Sequence, residues 1–469
     1  MESRVAFKIA TGSSAARTRR GVLRSVAAVA GAGALPVALG ACAGREEAPA
    51  VATAPTGKVV LWGWTGPGAQ WADELGQRML REFEGKNPGI TVEAVNVQAG
   101  GNAGDDKFMV AAAGGEPPDL FSTGRSAVAE WGIDGVIRAL DDRMKGPKSV
   151  KPEAFVPGLI EEGSWRGKVY GLSHSIDTRA FFWNKELYAA NGLNPERAPE
   201  TWDELVASIG KTVRQDGGKL DLLGYHPTLN EGVGAHFWQA WLWALGGSYL
   251  SEDRTRVAFN TDAGIRALEW MQRLANAQGG WNAIQEFYMP IQQATPQRPN
   301  GWLLGLKRTA QDICTGGAVK SLQDNYRDVR FGVGHIPKAP TGKRASVRGG
   351  YFLVVASQAK HPDAAWRFVE FHLSRETQVA FNDQLNRLPA TNEAANSAAF
   401  LKGDANRKIF TEVAAYSQRI PAIVPGYADV LTINAQIAPK VLSGQASPRD
   451  ALNTAAQEIQ VVLDKWKGR

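Results

Sequence analysis

The order of apolar and polar residues predicts alternating strands and helices near the start of the folded chain. Residues 59–64 form a short apolar run followed by a turn of glycine and proline, which is typical of a buried strand. Leu75, Met79 and Phe83 then recur at every fourth position, as on one face of a helix that an Asn-Pro-Gly triplet closes. Residues 90–97 form the next strand candidate. This alternation predicts an α/β fold with a mainly parallel sheet.

Further along the chain, polar residues mark where helices begin. A helix over 108–113 and a strand over 119–122 continue the alternation. Thr201 and Glu204 have the spacing of a capping box, in which each side chain satisfies a backbone amide of the first helical turn. Ser447 is followed by a proline, the arrangement of an N-cap and a first helical residue. We therefore predict helices that begin directly after Thr201 and Ser447.

The first 41 residues have the anatomy of an export signal. A twin-arginine pattern at 18–23 precedes an apolar run at 26–39, and Leu-Gly-Ala stands directly before Cys42. This ending resembles a lipoprotein box, in which Cys42 is acylated and becomes the mature N-terminus. The alternative is a signal anchor that remains as a membrane helix, which the glycines and the proline in the run disfavour. Residues 42–57 are predicted to form a flexible tether.

The net charge of +6 belongs mainly to this signal. Six basic residues and one acidic residue precede Cys42, which leaves about +1 for residues 42–469. A basic surface for nucleic acid is therefore not predicted.

Length and cysteine content narrow the architecture. Residues 42–469 exceed what one hydrophobic core usually supports, so we expect two domains. If Cys42 carries lipid, Cys314 remains alone, and no disulfide framework is possible. We interpret Cys314 as a small buried residue rather than a nucleophile.

From about Lys58 to Lys465 the chain resembles family 1 of the extracellular solute-binding proteins, the sugar-importer group that includes maltose-binding protein. The resemblance depends on segments that occur in the family's order: 61–64, 83–92, 112–120, 167–172, 182–187, 201–205, 336–337, 349–350, 364–368 and 387–390. Two segments depart from the family pattern. Ser173 stands where a proline is usual, and 305–310 is a poor counterpart of a later helix, so family contacts cannot be transferred to 291–319.

The resemblance implies a two-lobed periplasmic-binding-protein fold of the class II type, whose hinge the chain crosses more than once. We place the first lobe at 58–176 with 347–386 and the second at 177–346 with 387–469. It also implies a carbohydrate ligand between the lobes and the permease subunits of an ABC importer as partners. We expect a monomer without cofactor, metal or catalytic activity, attached through Cys42 to the outer face of the cytoplasmic membrane or located in the periplasm.

Candidate ligand contacts come from strand ends, the hinge and an aromatic segment. Ligands of open α/β sheets lie beyond the carboxyl ends of strands, and indoles suit the apolar faces of sugars. Asp177 is placed where relatives have an acidic sugar contact, although a hinge ion pair with Arg179 is an equal alternative. Trp238 and Trp241 share a helix face, and we expect at least one to meet ligand, with core packing as the alternative. The predicted ligand-binding residues are Trp64, Thr65, Ser122, Thr123, Asp177, Arg179, His236, Trp238, Trp241, Gly350, Tyr351 and Arg387.

Two other functions compete with carbohydrate capture. A secreted carbohydrate-active enzyme remains possible, because the carboxylate pair of a glycosidase forms only in space. Residues 171–175 only approach the Gly-x-Ser-x-Gly pattern, and neither a phosphate loop nor metal-ligand histidine spacing occurs in the sequence. The second alternative keeps the fold and changes the ligand to a polyamine or peptide; sparse histidine and cysteine argue against a metal.

Overall fold

The computed structural model describes residues 54–64, 74–97, 102–230, 234–296, 298–419 and 424–467. The predicted signal, Cys42, Thr65 and most of the tether lie outside these residues. The described strands are β1 (Gly57–Trp62), β2 (Ile90–Val95), β3 (Leu120–Gly124), β4 (Ser164–Trp165), β5 (Lys168–Val169), β6 (Leu172–Asn184), β7 (Arg214–Asp216), β8 (Lys219–Asn230), β9 (Thr309–Thr315), β10 (Phe331–Gly334), β11 (Ser346–Val355) and β12 (Ser417–Arg419). The described α-helices are α1 (Glu74–Lys86), α2 (Asn102–Ala113), α3 (Val128–Ile133), α4 (Asp141–Met144), α5 (Leu159–Glu162), α6 (Lys185–Ala190), α7 (Trp202–Thr212), α8 (Trp238–Ala244), α9 (Asp262–Asn276), α10 (Gly280–Ala294), α11 (Trp302–Gly305), α12 (Gly317–Asn325), α13 (Pro362–His372), α14 (Arg375–Leu385), α15 (Asn392–Ala395), α16 (Ala398–Leu401), α17 (Ala405–Tyr416), α18 (Tyr427–Leu442) and α19 (Pro448–Lys465).

A mixed sheet connects most of these strands in the order β2-β1-β3-β11-β6-β9-β8-β7, with β10 on β6 and β12 on β11. β1 pairs in parallel with β2 and β3, and β8 pairs in parallel with β9. The central pairs β3–β11, β11–β6 and β6–β9 are antiparallel. The α/β class is confirmed. The prediction of a mainly parallel sheet is wrong at the centre of the sheet, because β11 runs antiparallel to β3 and β6, and β6 runs antiparallel to β9.

The long strand β6 joins the two halves of this sheet. Its first half, Leu172–Thr178, pairs with β11, and its second half, from Arg179, pairs with β9 and β10. Asp177 and Arg179 therefore lie on either side of the point where one half of the sheet passes into the other.

The local signals in the sequence correspond to these elements. The apolar run at 59–64 gives β1, and the periodic residues that follow form α1. The Oγ1 of Thr201 accepts the amide of Glu204 (3.2 Å), and the Oγ of Ser447 accepts the amide of Asp450 (3.1 Å). Both predicted N-caps are confirmed, although the Glu204 carboxylate accepts the amide of Glu200 rather than that of Thr201.

Two main hydrophobic clusters fill the interior. The first core surrounds β1, β3, β11 and α13 and includes Leu61, Phe121 and Phe368. The second core packs α7, α8, α9 and α19 around Trp241 and Leu452. Cys314 is buried, as expected of a small core residue.

The predicted lobe boundaries do not coincide with the edges of these cores. Phe182, Phe400 and Phe410 belong to the first core, although the predicted boundaries assign their segments to the second lobe. The boundaries therefore stay a prediction. Among the described helices, none is both long and apolar enough to cross a bilayer.

Candidate ligand-binding cleft

A cavity of about 480 Å³ opens between segments that are far apart in the chain. Its volume lies within the usual range of small-molecule sites. One wall comes from α5 and the β4–β5 hairpin, in the predicted first lobe; the other comes from a loop and the C-terminal helices of the predicted second lobe. The lining residues are Ile160, Glu161, Ser164, Trp165, Arg166, Gly167, Val169, Glu252, Asp253, Arg254, Thr255, Val424, Pro425, Leu463, Trp466 and Lys467.

Trp165 connects the two walls of this cavity. It lies on the β4–β5 hairpin, yet its ring packs against the second core. Its indole N–H is buried and has no hydrogen-bond partner among the described residues. The guanidinium of Arg166 lies 5.9 Å from the centre of the ring. Trp165 therefore offers the cavity an aromatic face.

Behind α5 lies a second feature, which we call the arginine cluster: Arg125, Arg179, Arg348 and Arg387 with Asp177 and Glu162. Arg179 Nη1 contacts Asp177 Oδ1 at 2.7 Å, the ion pair that was the alternative to ligand contact. Arg348 Nε lies 2.8 Å from Glu162 Oε1, and Arg125 Nη1 lies 3.5 Å from Glu162 Oε2. Arg125 also donates to the carbonyl of Arg348.

Asp177 is the partly exposed carboxylate of the arginine cluster, with 24% of its side chain accessible. Burial opposes its ionisation, but Arg179, Arg387 and Arg125 outweigh burial and hold the pKa of its carboxyl below the usual value. Asp177 is therefore ionised at neutral pH, as a charged hydrogen-bond acceptor for hydroxyl groups must be.

Asp177 lies near three other predicted ligand-binding residues: Gly350, Tyr351 and Arg387. Gly350 pairs with Ile176 at a φ of 149°, and a Cβ there would collide with the carbonyl of Ser175. This close approach requires glycine. The guanidinium of Arg387 lies 4.6 Å from the ring centre of Tyr351, in cation–π geometry. Burial raises the pKa of the Tyr351 hydroxyl, although Arg387 opposes this shift.

A hydrogen bond joins α3 to the N-terminal end of α18. Glu130, on α3, accepts the amide of Gly426 through Oε2 at 3.1 Å. Gly426 caps α18, so the carboxylate lies at the positive end of that helix. Burial raises the pKa of the next residue, Tyr427, while the positive charge of Arg125 opposes the shift. Tyr427 thus lies within electrostatic reach of the arginine cluster.

Trp64, Ser122 and Thr123 do not line the cavity. Trp64 and Ser122 are the two ends of a buried hydrogen-bond chain through the first core, and Thr123 is buried and donates to Asp105 Oδ1 at 2.8 Å. The predicted strand end is wrong for Ser122 and Thr123, which are the third and fourth residues of β3, a strand that lies between β1 and β11. The structure thus places these three residues in the interior.

Trp238 and Trp241 are also interior, with no accessible surface. Trp241 meets Trp202 edge-on at 5.5 Å, and Trp238 meets Phe259 edge-on at 5.5 Å. In this conformation both indoles pack in the core, which was the alternative to ligand contact. His236, beside them, is only half-buried and receives a hydrogen bond from Asn434 Nδ2 at 2.6 Å. Burial lowers the pKa of His236 to about 4, which leaves it neutral near pH 7.

With this geometry established, comparison with known proteins decides the family. The family model of the bacterial extracellular solute-binding proteins matches residues 62–379. The chain belongs to this family.

Similar proteins support the assignment. A protein of Brucella abortus that is named only as a binding protein is 22% identical over 395 residues, which cover 83% of this chain and 90% of that one. The maltooligosaccharide ABC transporter solute-binding lipoprotein of Streptococcus pneumoniae is 24% identical over 343 residues, covering 69% and 70% of the two chains. The crystal structure of the cyclic α-maltosyl-1,6-maltose binding protein from Arthrobacter globiformis matches with a TM-score of 0.70 at 22% identity, covering 87% of this chain and 100% of that one. This likeness confirms the predicted periplasmic-binding-protein fold.

One pair of residues in this solute-binding protein resembles a catalytic nucleophile and base. Ser122 Oγ lies 2.9 Å from His174 Nε2, and His174 Nδ1 lies 3.1 Å from His372 Nε2. Trp64 Nε1, which can only donate, contacts His372 Nδ1 at 3.4 Å. His372 must then carry its hydrogen on Nε2, and His174 must carry its hydrogen on Nε2, toward Ser122. His174 therefore donates to Ser122 and does not accept its proton. Ser122 and His174 are both buried, so this chain of hydrogen bonds is a structural part of the first core.

Sequence reasoning missed Trp165, Arg125, Glu162 and Arg348. Arg125 and Glu162 are 37 positions apart, and Glu162 and Arg348 are 186 apart, so no local pattern connects them. Trp165 had only a local signal, because the glycine two positions after it is typical of a hairpin turn.

Proposed function

We propose that this solute-binding protein captures a carbohydrate, specifically an oligosaccharide, between two lobes and presents it to the permease subunits of an ABC importer. The observation that carries the proposal is the cavity, whose walls each contribute an indole, Trp165 and Trp466. Indole faces match the C–H surfaces of sugar rings, and charged and polar neighbours read the hydroxyl groups. The pneumococcal and Arthrobacter proteins, which are named for binding maltooligosaccharide and cyclic α-maltosyl-1,6-maltose, support a sugar ligand.

The proposed mechanism is closure. A ligand that touches both walls makes contacts in the closed state that the open state lacks, so it shifts the population toward closure. The permease then distinguishes the loaded from the empty protein by shape. We retain the predicted lobe boundaries, 58–176 with 347–386 and 177–346 with 387–469, as part of this proposal.

The test is calorimetry and thermal unfolding with neutral and acidic malto-, galacto- and manno-oligosaccharides. A ligand at a hundredfold its dissociation constant should stabilise the native state by about 2.7 kcal/mol. New reducing ends after incubation would indicate the enzyme alternative instead. Failure of every oligosaccharide to bind would contradict carbohydrate capture and leave only the family and the fold.

We also propose that lipid on Cys42 holds the protein at the outer face of the cytoplasmic membrane. The support is the Leu-Gly-Ala-Cys ending of the apolar run. Mass spectrometry of the membrane fraction should find acyl groups on Cys42, and Cys42→Ala should release the protein from that fraction. Wild-type protein without lipid at Cys42 would overturn this part of the proposal alone.

A further inference from the structure

Arg254, which lines the cavity, has a backbone conformation that favours glycine. Its φ is 60°, in the left-handed region that residues with a Cβ rarely adopt. Lys307 and Lys402 share this conformation, with φ of 55° and 48°. Their ammonium groups pair at the surface with Asp328 and Asp383, respectively. Among the described residues, by contrast, none forms a hydrogen bond or an ion pair with the guanidinium of Arg254. The side chain of Arg254 therefore has no structural partner that would account for its strained backbone.

The loop that carries Arg254 is braced by Asp253. Oδ1 of Asp253 accepts the hydroxyl of Ser251 at 2.6 Å and the amide of Thr255 at 3.1 Å, and Oδ2 accepts the hydroxyl of Thr255 at 2.9 Å. The amide of Arg254 donates to the carbonyl of Ser251 at 2.9 Å. The hydrogen bonds from Ser251 and Thr255 lower the pKa of the Asp253 carboxyl to about 2, so it is ionised at neutral pH. The carboxylate of Asp253 is thus occupied within the loop and holds Arg254 in its conformation.

Gln460, on α19, fixes the same loop to a helix that forms part of the cavity wall. Its Oε1 accepts the amide of Val257 at 3.0 Å, and its Nε2 donates to the carbonyl of Thr255 at 2.9 Å. Leu463, on the same helix, lines the cavity. The position of the Arg254 backbone is therefore set before a ligand arrives, which reduces the cost of ordering the loop on binding.

Arg254 and Glu161 belong to opposite walls of the cavity and interact through space without forming an ion pair. The side chain of Arg254 is half-buried. Burial lowers the pKa of Arg254, and the carboxylates of Glu161 and Glu162 oppose this shift. Arginine stays protonated in proteins, so the guanidinium keeps its five N–H donors. A ligand between the walls is offered these donors on one side and the acceptor oxygens of Glu161 on the other.

The charges that line the cavity balance. The lining contains three basic residues, Arg166, Arg254 and Lys467, and three acidic residues, Glu161, Glu252 and Asp253. A neutral polyol suits this mixture, because each hydroxyl group both donates and accepts hydrogen bonds.

We propose that Arg254 is a ligand-binding residue, whose guanidinium donates two parallel hydrogen bonds to adjacent oxygen atoms of a neutral saccharide. This inference rests on the proposed function and names the residue that recognises the hydroxyl groups of the sugar. The planar fork of N–H groups matches a pair of adjacent acceptors, which a single ammonium group cannot do. Hydrogen bonds to a charged group correspond to about tenfold to a hundredfold in affinity.

The test separates ligand contact from support of the fold. Neutral malto-, galacto- and manno-oligosaccharides of two to four units are titrated by calorimetry into the wild type and Arg254→Gly. The sugar that the wild type binds most tightly should bind about tenfold to a hundredfold more weakly to the variant. The melting temperature of Arg254→Gly without sugar should equal or exceed that of the wild type, because glycine adopts a φ of 60° without strain.

Lys402→Gly is the matched control, because Lys402 has the same left-handed backbone but lies outside the cavity. It should retain wild-type affinity. Arg254→Lys keeps the positive charge and removes the planar fork, so its affinity should lie between those of the wild type and Arg254→Gly.

Wild-type affinity in Arg254→Gly, or a loss that Lys402→Gly shares, would overturn the role of Arg254 and leave carbohydrate capture intact. Weaker binding together with a lower melting temperature in Arg254→Gly would overturn it as well, by assigning the residue to the fold. Full affinity in Arg254→Lys would overturn recognition by the guanidinium fork. If the wild type binds none of these sugars, both this inference and the proposed function fail.

Discussion

The tryptophans of the second core and those of the cavity are the same residue type in opposite environments. Trp202 and Trp270 stack at 4.3 Å, Trp241 meets both edge-on, and Trp238 lies on the same short helix without exposed surface. Trp165 and Trp466 instead line a cavity. Helical spacing therefore shows which indoles share a face, while the packing of distant segments decides whether that face meets the core or a ligand.

The largest expected effect is on the core side of this comparison. Trp238→Ala should lower the free energy of unfolding by about 3–5 kcal/mol, because it removes a fully buried ring and leaves a cavity. Chemical denaturation measures this loss. Unchanged stability together with lost ligand affinity would reverse the assignment and make Trp238 a ligand contact.

On the cavity side, Trp165→Ala should weaken oligosaccharide binding by about 2 kcal/mol or more, as expected of an aromatic anchor. Its effect on stability should be smaller than that of Trp238→Ala. Calorimetry with the best-binding sugar measures the affinity. Trp281→Ala is the matched control, since Trp281 is a half-buried indole that contacts His226 and does not line the cavity. Equal losses of affinity in the two variants would contradict the assignment of Trp165 as a ligand contact.

The first core differs from the second in containing two hydrogen-bonded buried histidines, His174 and His372, and this difference should appear in the pH dependence of stability. Burial lowers the pKa of His372 to about 3, and burial, His372 and Arg387 together hold the pKa of His174 well below its usual value. The unfolded histidines titrate near 6.5, so the unfolded state binds more protons between about pH 6.5 and 3. Stability should therefore fall as pH decreases through this window, by up to about 1.4 kcal/mol per pH unit for each histidine.

Denaturation of wild type and His372→Gln across this window measures the slope. The variant should show a smaller slope, since it lacks one buried titrating group. His226, buried in the other half with a pKa lowered to about 3, contributes equally to both proteins. An identical slope in the two would contradict the linkage to His372.

Local structure could be predicted from sequence because it depends on neighbouring residues. The caps at Thr201 and Ser447 and the residues of α1 needed only their own spacing. The ion pair of Asp177 with Arg179 could be predicted from two residues that are two positions apart, whereas the sugar contact came from the family resemblance and stays a prediction.

The site could be predicted only in part, because it is assembled from distant segments. Ser122 is the middle residue of β3 rather than its end, because β3 continues to Gly124 through pairing with β11 that the sequence does not display. Gly350, Tyr351 and Arg387 come together with Asp177, whereas the partner of Arg348 lies 186 positions away. Trp165 was overlooked because its hairpin packs against the opposite half of the protein.

A crystal structure with a bound oligosaccharide tests the central claim most directly. We expect one ligand that contacts Trp165 on one wall and Trp466 or residues 252–255 on the other. A ligand that touches only one wall, or that binds outside this cavity, would contradict it.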